Sequence, residues 1–477
     1  MTTTKKYLHV LIMLFLTFGI GLLPPFGQIT EVGMDVLGVF IGILYGWIFV
    51  DLIATSLFGF IALGLTGYIT AANAFVAGFS NATLLTILIV SVFAELLNQI
   101  GVNKLIAYWL LSRKIFIGKP WFLISGLCVL AFVMGMISGS FAGVILVWYL
   151  ILSMAEINGF EKGNILINMI MALTLYCVVF GGSVAPFQSG FILYNGMLTQ
   201  GTGLSAPPLQ TFFLGTVYLF LSIGILILIS KYILKLDASK FITTEKMCDE
   251  YSSIKSNIYQ KVGLILLLIY ITALLLPEFA GSLSIAQFCR SFGLIGLTLI
   301  YIVIFALLKN KEGAPVVNVF ACFQNGIPWA VILLLGVTFP LSAAMQSEAT
   351  GIIATVNTML VPLLENVGPT MLIILSIILL GFFTQFLHNV ILAAIFIPVL
   401  TPIVSLLGGN PYTFFFVIFM ILSCAFATPA ASAVAGMIFG HQNVNRKDAY
   451  LFGWLFFITS VIVLVVMIPL CNILYVV

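Results

Sequence analysis

Residues 181–190 read GGSVAPFQSG and interrupt an apolar segment that is otherwise long enough to cross a membrane. Proline removes a backbone donor and frees carbonyl groups upstream, while glycine and alanine let the chain turn closely, so this stretch predicts a helix broken within the bilayer. A second break is predicted at residues 427–433, which read ATPAASA. Both breaks contain Pro-x-x-Ser followed by a small residue, which indicates two related halves.

The composition around these breaks is that of an all-α polytopic membrane protein. Of the 477 residues, 62% are apolar and only 7% are charged, whereas soluble domains carry about a quarter charged residues. Apolar stretches of the roughly 20 residues that cross a bilayer recur from Tyr7 to Val477, about a dozen in all. The first, Tyr7 to Leu23, has no small-residue cleavage site before Pro24, so we expect it to be retained as a span.

One polar stretch divides the chain. Residues 231–261 contain six lysines, and we interpret them as a cytoplasmic linker between a first membrane half, residues 1–230, and a second, residues 262–477. This linker, the lysines at positions 5 and 6 and the basic group at 113–119 carry much of the positive charge, which the positive-inside rule assigns to the cytoplasm. We therefore expect a multi-pass protein of the cell membrane with a cytoplasmic N-terminus.

Each half also contains an apolar block with a polar, helix-breaking centre, at about 121–149 and about 371–400. A block of this length can enter the membrane, turn and leave on the same side, which predicts a re-entrant hairpin. Broken helices at about 164–198 and 411–440 follow the hairpins, so hairpin and broken helix occur twice in the same order. This order predicts inverted repeats around a site at the membrane midplane. The interrupting residues are Gly135, Ser138, Gly139 and Ser140 in the first block and Thr384, Gln385, His388 and Asn389 in the second.

The breaks point to ion and anion binding. Carbonyl groups freed by a break and nearby hydroxyls are suitable ligands for Na⁺, and the half-helix that begins after a break offers N–H groups and a positive dipole end to an anion. No other metal site is indicated, because the seven cysteines are scattered without CxxC spacing. The charged residues form no basic face, which excludes nucleic acid as a partner.

At this point the sequence resembles the divalent anion:sodium symporter family, whose members move dicarboxylates, citrate or sulfate, usually with Na⁺ and in some cases by anion exchange. The resemblance spans most of the chain and rests on GFSN at 78–81, the two hairpins, residues 176–192 and residues 425–440. It implies secondary active transport of a small di- or multivalent anion by elevator-like alternating access. It also implies Na⁺ as the coupling ion, no other cofactor, and a homodimer formed through the scaffold.

Site residues follow from the resemblance position by position. Family members carry Ser-Asn-Thr at each hairpin tip, where this chain has Ser-Gly-Ser and His-Asn-Val. Gly139 and Val390 cannot make the side-chain hydrogen bonds of Asn and Thr. The resemblance therefore does not fix which anion and which coupling ion this chain uses. The implied Na⁺ ligands are Ser138, Gly139 and Gln188 at one site and Thr384, Leu387, Asn389 and Ala431 at the other. The implied substrate-binding residues are Ser138, Gly139, Ser140, Ser189, His388, Asn389, Val390 and Ser432.

Three ionisable residues lie in apolar surroundings. Asp51 and Glu95 act either as a proton or cation relay or, as we expect, as carboxyl groups bonded to a neighbouring helix or placed at the interface. His388 lies at a predicted hairpin tip, where it either couples transport to protons or, as we expect, serves as a neutral hydrogen-bonding group.

Other function classes fit less well. An intramembrane enzyme needs clustered His, Asp, Glu or Cys at bilayer depth, and the three histidines are far apart in sequence. A primary pump would need a GxxxxGK[ST] phosphate loop, which is absent from the sequence. A passive channel stays open, since broken helices also line pores; so does an exchanger or a proton-coupled transporter of the same fold.

Overall fold

The computed structural model describes most of the chain, and the statements below concern the described residues. These are 3–243, 245, 248–249, 252, 256–310, 312–352, 354–355, 358–359, 367–429 and 431–475, without the side chains of 3–6, 111, 138–142, 275, 278–279 and 433.

The first half folds into helices joined by short turns. They are α1 (Thr3–Gly19), α2 (Glu31–Phe49), α3 (Leu52–Leu65), α4 (Ala71–Phe79), α5 (Ala82–Ile100), α6 (Val102–Leu111), α7 (Pro120–Ile157), α8 (Ile165–Val184), α9 (Ser189–Thr202) and α10 (Pro208–Leu228). Several starts are capped by a side-chain oxygen that accepts a backbone N–H of the first turn, which satisfies a donor that the helix itself leaves open. Asp51 does this for α3, and Asn81 for α5.

The second half follows the same pattern. Its helices are α11 (Ile258–Phe279), α12 (Ser284–Leu307), α13 (Val319–Gly326), α14 (Trp329–Gln346), α15 (Pro369–Phe383), α16 (Asn389–Leu406), α17 (Pro411–Leu422), α18 (Ala433–Gly440) and α19 (Arg446–Leu474).

Within the described part of the chain, nine helical segments are long and apolar enough to cross a membrane. The predicted all-helical polytopic membrane fold is therefore confirmed. The sequence predicted about a dozen spans of roughly 20 residues. The difference arises because several apolar segments, such as α15 and α17, form shorter helices of 10–17 residues.

The helices that precede the two breaks lie at the centre of the molecule. Of the window in α8 that could span a membrane, 83% is buried inside the protein, and every residue of α17 except Tyr412 is buried. A helix that is apolar on all sides is stable only when protein or lipid surrounds it. Here protein does so, because α7, α9, α10 and α19 pack on α8, while α15, α16 and α19 pack on α17.

Glycines set the close approach of α7 and α8. A Cβ atom on Gly181 would overlap the carbonyl oxygen of Phe132 and lie 3.0 Å from its carbonyl carbon. A Cβ atom on Gly135 would overlap the carbonyl oxygen of Val178 and lie 3.0 Å from the amide nitrogen of Gly182. The two backbones therefore touch, and only glycine fits at either position.

Two of the basic segments meet on one side of the molecule. Ile117, in the basic group after α6, forms an isolated backbone bridge with Thr243 of the linker. Nearby, the Asn158 side chain donates a hydrogen bond of 3.1 Å to the carbonyl oxygen of Ile242. This contact supports the prediction that both segments lie on the same side of the membrane.

Candidate functional site

A cavity of about 440 Å³ lies where the break between α8 and α9, the turn between α15 and α16, and the break between α17 and α18 come together. Its volume falls within the roughly 300–1,000 Å³ range of small-molecule sites. Helices α5 and α14 and the end of α13 complete its wall. Its polar lining residues are Ser91, Glu95, Asn98, Ser183, Gln188, Ser189, Tyr194, Asn325, His388, Asn389, Ser423 and Ser432.

Three helices begin at this cavity. Ser189 is the first residue of α9, Asn389 is the first residue of α16, and Ser432 caps α18; all three residues line the cavity wall. The Ser432 hydroxyl accepts a hydrogen bond of 3.0 Å from the Ala435 N–H and donates one of 2.9 Å to the carbonyl oxygen of Ala425. Because a helix start presents free N–H groups and a positive dipole end, the three starts together favour a bound anion.

Gln385 connects the turn between α15 and α16, where the second hairpin is predicted, to the second break. Its side-chain nitrogen donates to the carbonyl oxygens of Gly381 and Cys424, both at 2.9 Å. Its side-chain oxygen accepts from the amides of Phe426 at 3.2 Å and Ala427 at 2.8 Å. One fully buried side chain thus satisfies backbone groups that the break leaves without helical partners.

Gln188 makes a similar link in the first half, but from the break itself. Its side-chain nitrogen donates a hydrogen bond of 2.6 Å to the carbonyl oxygen of Met136 in α7. The turn just after it is tight, since a Cβ atom on Gly190 would lie 2.7 Å from the carbonyl oxygen of Gly182. In each half, therefore, a glutamine links the predicted hairpin to the break.

One contact within α7 bears on the predicted first hairpin. Positions 134 and 143 of α7 would be about 13 Å apart in a straight helix, yet a Cβ atom on Gly143 would lie 3.4 Å from the carbonyl carbon of Met134. The chain therefore reverses direction between them, which supports the prediction of a first hairpin. The inverted repeat stays a prediction. The packing of the segments that follow the two breaks also supports it.

The segment after each break packs against the second arm of the predicted hairpin in the other half. Helix α9 packs on α16. In the matching pair, α18 borders the 143–157 part of α7, where the rings of Trp148 and His441 are 5.3 Å apart in a T-shaped arrangement. Such an exchange of partners is what two-fold pseudosymmetry produces.

The structure gathers most of the predicted site residues whose side chains it describes. Six of them lie on the cavity wall: Gln188, Ser189, His388, Asn389, Val390 and Ser432. Three predicted Na⁺ ligands are not part of that wall, namely Thr384, Leu387 and Ala431. The Thr384 hydroxyl instead donates a hydrogen bond of 3.3 Å to the carbonyl oxygen of Leu422. The side chains of Ser138, Gly139 and Ser140 lie outside the described ones.

The ionisable residues singled out in the sequence have different surroundings. Asp51 is exposed and accepts a hydrogen bond of 2.7 Å from the Ala54 N–H, as a helix cap does. At the cavity, His388 Nδ1 accepts a hydrogen bond of 3.3 Å from the Val390 N–H. An accepting Nδ1 carries no proton, so this contact favours the neutral ring.

Sequence reasoning singled out Glu95 as an ionisable residue in an apolar helix but did not place it at the site, and it missed the other polar residues that α5 and α13 contribute to the wall. Ser91, Glu95 and Asn98 face the cavity from α5, and Asn325 does so from α13. The signal in the sequence was an acidic residue in an otherwise apolar helix, with Ser four positions before it and Asn three positions after it, all on one helix face.

Known proteins resemble this chain at the level of a family and a fold. The citrate transporter family (CitMHS) matches residues 36–390, about three quarters of the chain. Among curated proteins, Na(+)/dicarboxylate cotransporter 3 of Rattus norvegicus is 30% identical over 155 residues, which are 32% of this chain and 25% of that protein. Solute carrier family 13 member 2 of Mus musculus is 25% identical over 151 residues, again 32% of this chain and 25% of that protein. The matched stretch thus spans about a quarter of the length of these relatives.

Two solved structures share the fold over nearly the whole chain. The YdaH transporter of Alcanivorax borkumensis has a TM-score of 0.59 at 15% identity and covers 98% of this chain and 97% of its own. MtrF of Neisseria gonorrhoeae has a TM-score of 0.60 at 15% identity, with 96% and 97% covered.

Proposed function

Because the chain belongs to the citrate transporter family, and is therefore a transporter and not an enzyme, we propose that it carries small di- or multivalent anions by Na⁺-coupled symport. The candidate substrates are di- and tricarboxylates and sulfate. The observation that carries this proposal is the convergence of three helix starts, at Ser189, Asn389 and Ser432, on one cavity. Free N–H groups and positive dipole ends bind carboxylate or sulfate oxygens without a fixed positive side chain.

Na⁺ suits the oxygen-rich side of the same cavity. The wall near the second break carries the hydroxyls of Ser423 and Ser432 and the amide of Asn389, and hard cations prefer oxygen ligands. A cation there would offset the charge of the anion and order the break. We include Thr384, Leu387 and Ala431 behind this wall, and Ser138 and Gly139 at the first hairpin tip, in the proposed ion sites, as the family resemblance implies.

The proposed mechanism moves one domain against another. The two hairpins and two broken helices, with α10 and α19 around them, form the mobile domain, which carries the three helix starts of the cavity. The remaining helices form the scaffold, through which two copies would dimerise in the cell membrane with their N-termini in the cytoplasm. Binding of the ion and the anion would allow the mobile domain to move against the scaffold and open to the other side of the membrane.

The proposal is tested by uptake of labelled citrate, succinate and sulfate into proteoliposomes. Each anion is offered with an inward Na⁺ gradient, an inward proton gradient, or unlabelled anion inside. We expect the Na⁺ gradient to drive uptake of at least one anion above the level measured without any gradient. Stimulation by internal anion alone would replace symport by exchange, and stimulation by protons alone would replace Na⁺ as the coupling ion. No uptake of any of the three would contradict the proposed substrate class.

Asn389→Ala is expected to abolish Na⁺-dependent uptake while the protein still inserts and purifies normally. The Asn389 side chain lines the cavity, and its one described hydrogen bond, of 2.9 Å from the Val390 N–H, is local to the helix start. Asn73→Ala is the matched control, because Asn73 is exposed on α4. Na⁺-dependent uptake at the wild-type level in Asn389→Ala would remove this residue from the ion site.

A further inference from the structure

The cavity has a second polar wall that neither the hairpins nor the broken helices provide. Ser91, Glu95 and Asn98 lie on one face of α5 and line it. Among the lining residues whose side chains the structure describes, Glu95 is the only acidic residue, and there is no lysine or arginine. An anion in this cavity therefore meets N–H donors at the helix starts and a carboxyl group on α5.

The carboxyl group of Glu95 is held in place by its neighbours. The Asn98 amide donates a hydrogen bond of 3.4 Å to Glu95 Oε2, and the buried Asn103 amide donates one of 3.2 Å to Asn98 Oδ1. From α13, Gly326 packs so closely that a Cβ atom there would lie 2.8 Å from the Cβ of Glu95. A larger residue at Gly326 would displace the Glu95 side chain. The carboxyl group is thus positioned by two amides and a glycine contact.

We propose that Glu95 determines specificity by accepting a hydrogen bond from a hydroxyl group of the transported anion; this inference rests on the proposed function. The carboxylate groups of the substrate have donors at the helix starts, so a further carboxylate directed at Glu95 would meet an acceptor with none to offer. A hydroxyl on the substrate supplies the missing donor. Hydroxylated di- or tricarboxylates should accordingly bind better than the same anions without the hydroxyl.

Rejection of the analogue has a physical cause. A polar group placed to hydrogen-bond a substrate hydroxyl loses that partner when the analogue without the hydroxyl binds, and the bound analogue also keeps water from replacing it. Hydrogen bonds to charged groups contribute about 1.5–3 kcal/mol, so we expect a preference of about tenfold or more. Asn98 and Asn103 act as positioning residues, because they orient Glu95. Glu95 itself makes the hydrogen bond to the substrate.

The test compares two matched pairs, citrate with tricarballylate and malate with succinate, as inhibitors of labelled anion uptake into proteoliposomes. Each pair differs by one hydroxyl group. We expect the wild-type protein to favour the hydroxylated member by about tenfold or more, and Glu95→Ala to bring that ratio close to one. Glu95→Gln keeps an acceptor oxygen without the charge and should give an intermediate ratio, since charge-assisted hydrogen bonds are roughly twice as strong as neutral ones.

The controls separate this inference from the proposed function. Glu161→Ala changes an exposed acidic residue outside the cavity and should keep the wild-type ratio. If Glu95→Ala no longer transports, the same ratio is read from ligand-induced thermal stabilisation of the purified variants, including Glu95→Gln. An unchanged ratio in both Glu95 variants, or a wild-type protein with no hydroxyl preference, would overturn the role of Glu95. A wild-type protein that moves neither these four anions nor sulfate would instead contradict the proposed function.

Discussion

Gly181→Val should cause the largest loss of stability of any single substitution considered for this protein. Its side chain would occupy the position of the Phe132 carbonyl oxygen, which belongs to the facing backbone of α7. Overpacking in cores commonly costs about 1–3 kcal/mol, and we expect a loss at or above the top of that range, because backbone cannot move aside as a side-chain tip can. The measurement is the midpoint of thermal unfolding in detergent, together with the elution profile on size exclusion.

Gly224→Val is the matched control for this substitution. Gly224 also lies within a helix, α10, and a Cβ atom there would have nothing within 4 Å. The control should therefore keep the unfolding midpoint of the wild-type protein. If Gly181→Val unfolds at the same temperature as Gly224→Val, the close crossing of α7 and α8 is wrong.

Gln385→Leu should be nearly as damaging, for an electrostatic reason. The substitution leaves the Ala427 amide without its acceptor. It also removes one of two partners from the Phe426 amide and from the Cys424 carbonyl, which stay hydrogen-bonded to each other at 3.0 Å. An unsatisfied buried group costs about 1–3 kcal/mol, and the Gln385 side chain is fully buried. We expect a loss of about 1–3 kcal/mol, seen as a lower unfolding midpoint and aggregation after extraction.

Gln287→Leu provides the comparison for Gln385→Leu. Gln287 lies on the exposed side of α12, so the same chemical change should leave the unfolding midpoint unaltered. Equal midpoints for the two leucine variants would mean that the second break does not depend on the Gln385 hydrogen bonds.

The broken helices could be predicted from the sequence because their cause is local. Pro186 and Pro429 each remove a backbone donor, and the small residues beside them permit a turn. Helices end at Val184 and Leu422 and resume at Ser189 and Ala433, close to where the sequence predicts. The cavity residues on these segments followed, since they sit at the ends of the interrupted helices.

The sequence singles out Glu95, but the place of α5 at the cavity could not be predicted, because it depends on tertiary packing. Gly326 at the end of α13 lies against Glu95, since a Cβ atom there would be 2.8 Å from the Cβ of Glu95. Sequence alone gives no sign that residues 95 and 326 meet. The role of Gln385 was missed for the same reason, since its partners lie about 40 positions away in the chain.

Counterflow of labelled citrate is the most direct test of the central claim, that the cavity serves a carrier of multivalent anions. Proteoliposomes are loaded with unlabelled citrate and diluted into labelled citrate at equal Na⁺ on both sides, with protein-free liposomes as the control. We predict transient accumulation of label inside that saturates with external citrate. Label that only equilibrates, without saturation, would contradict alternating access and indicate a channel; no entry beyond the protein-free control would contradict transport of citrate.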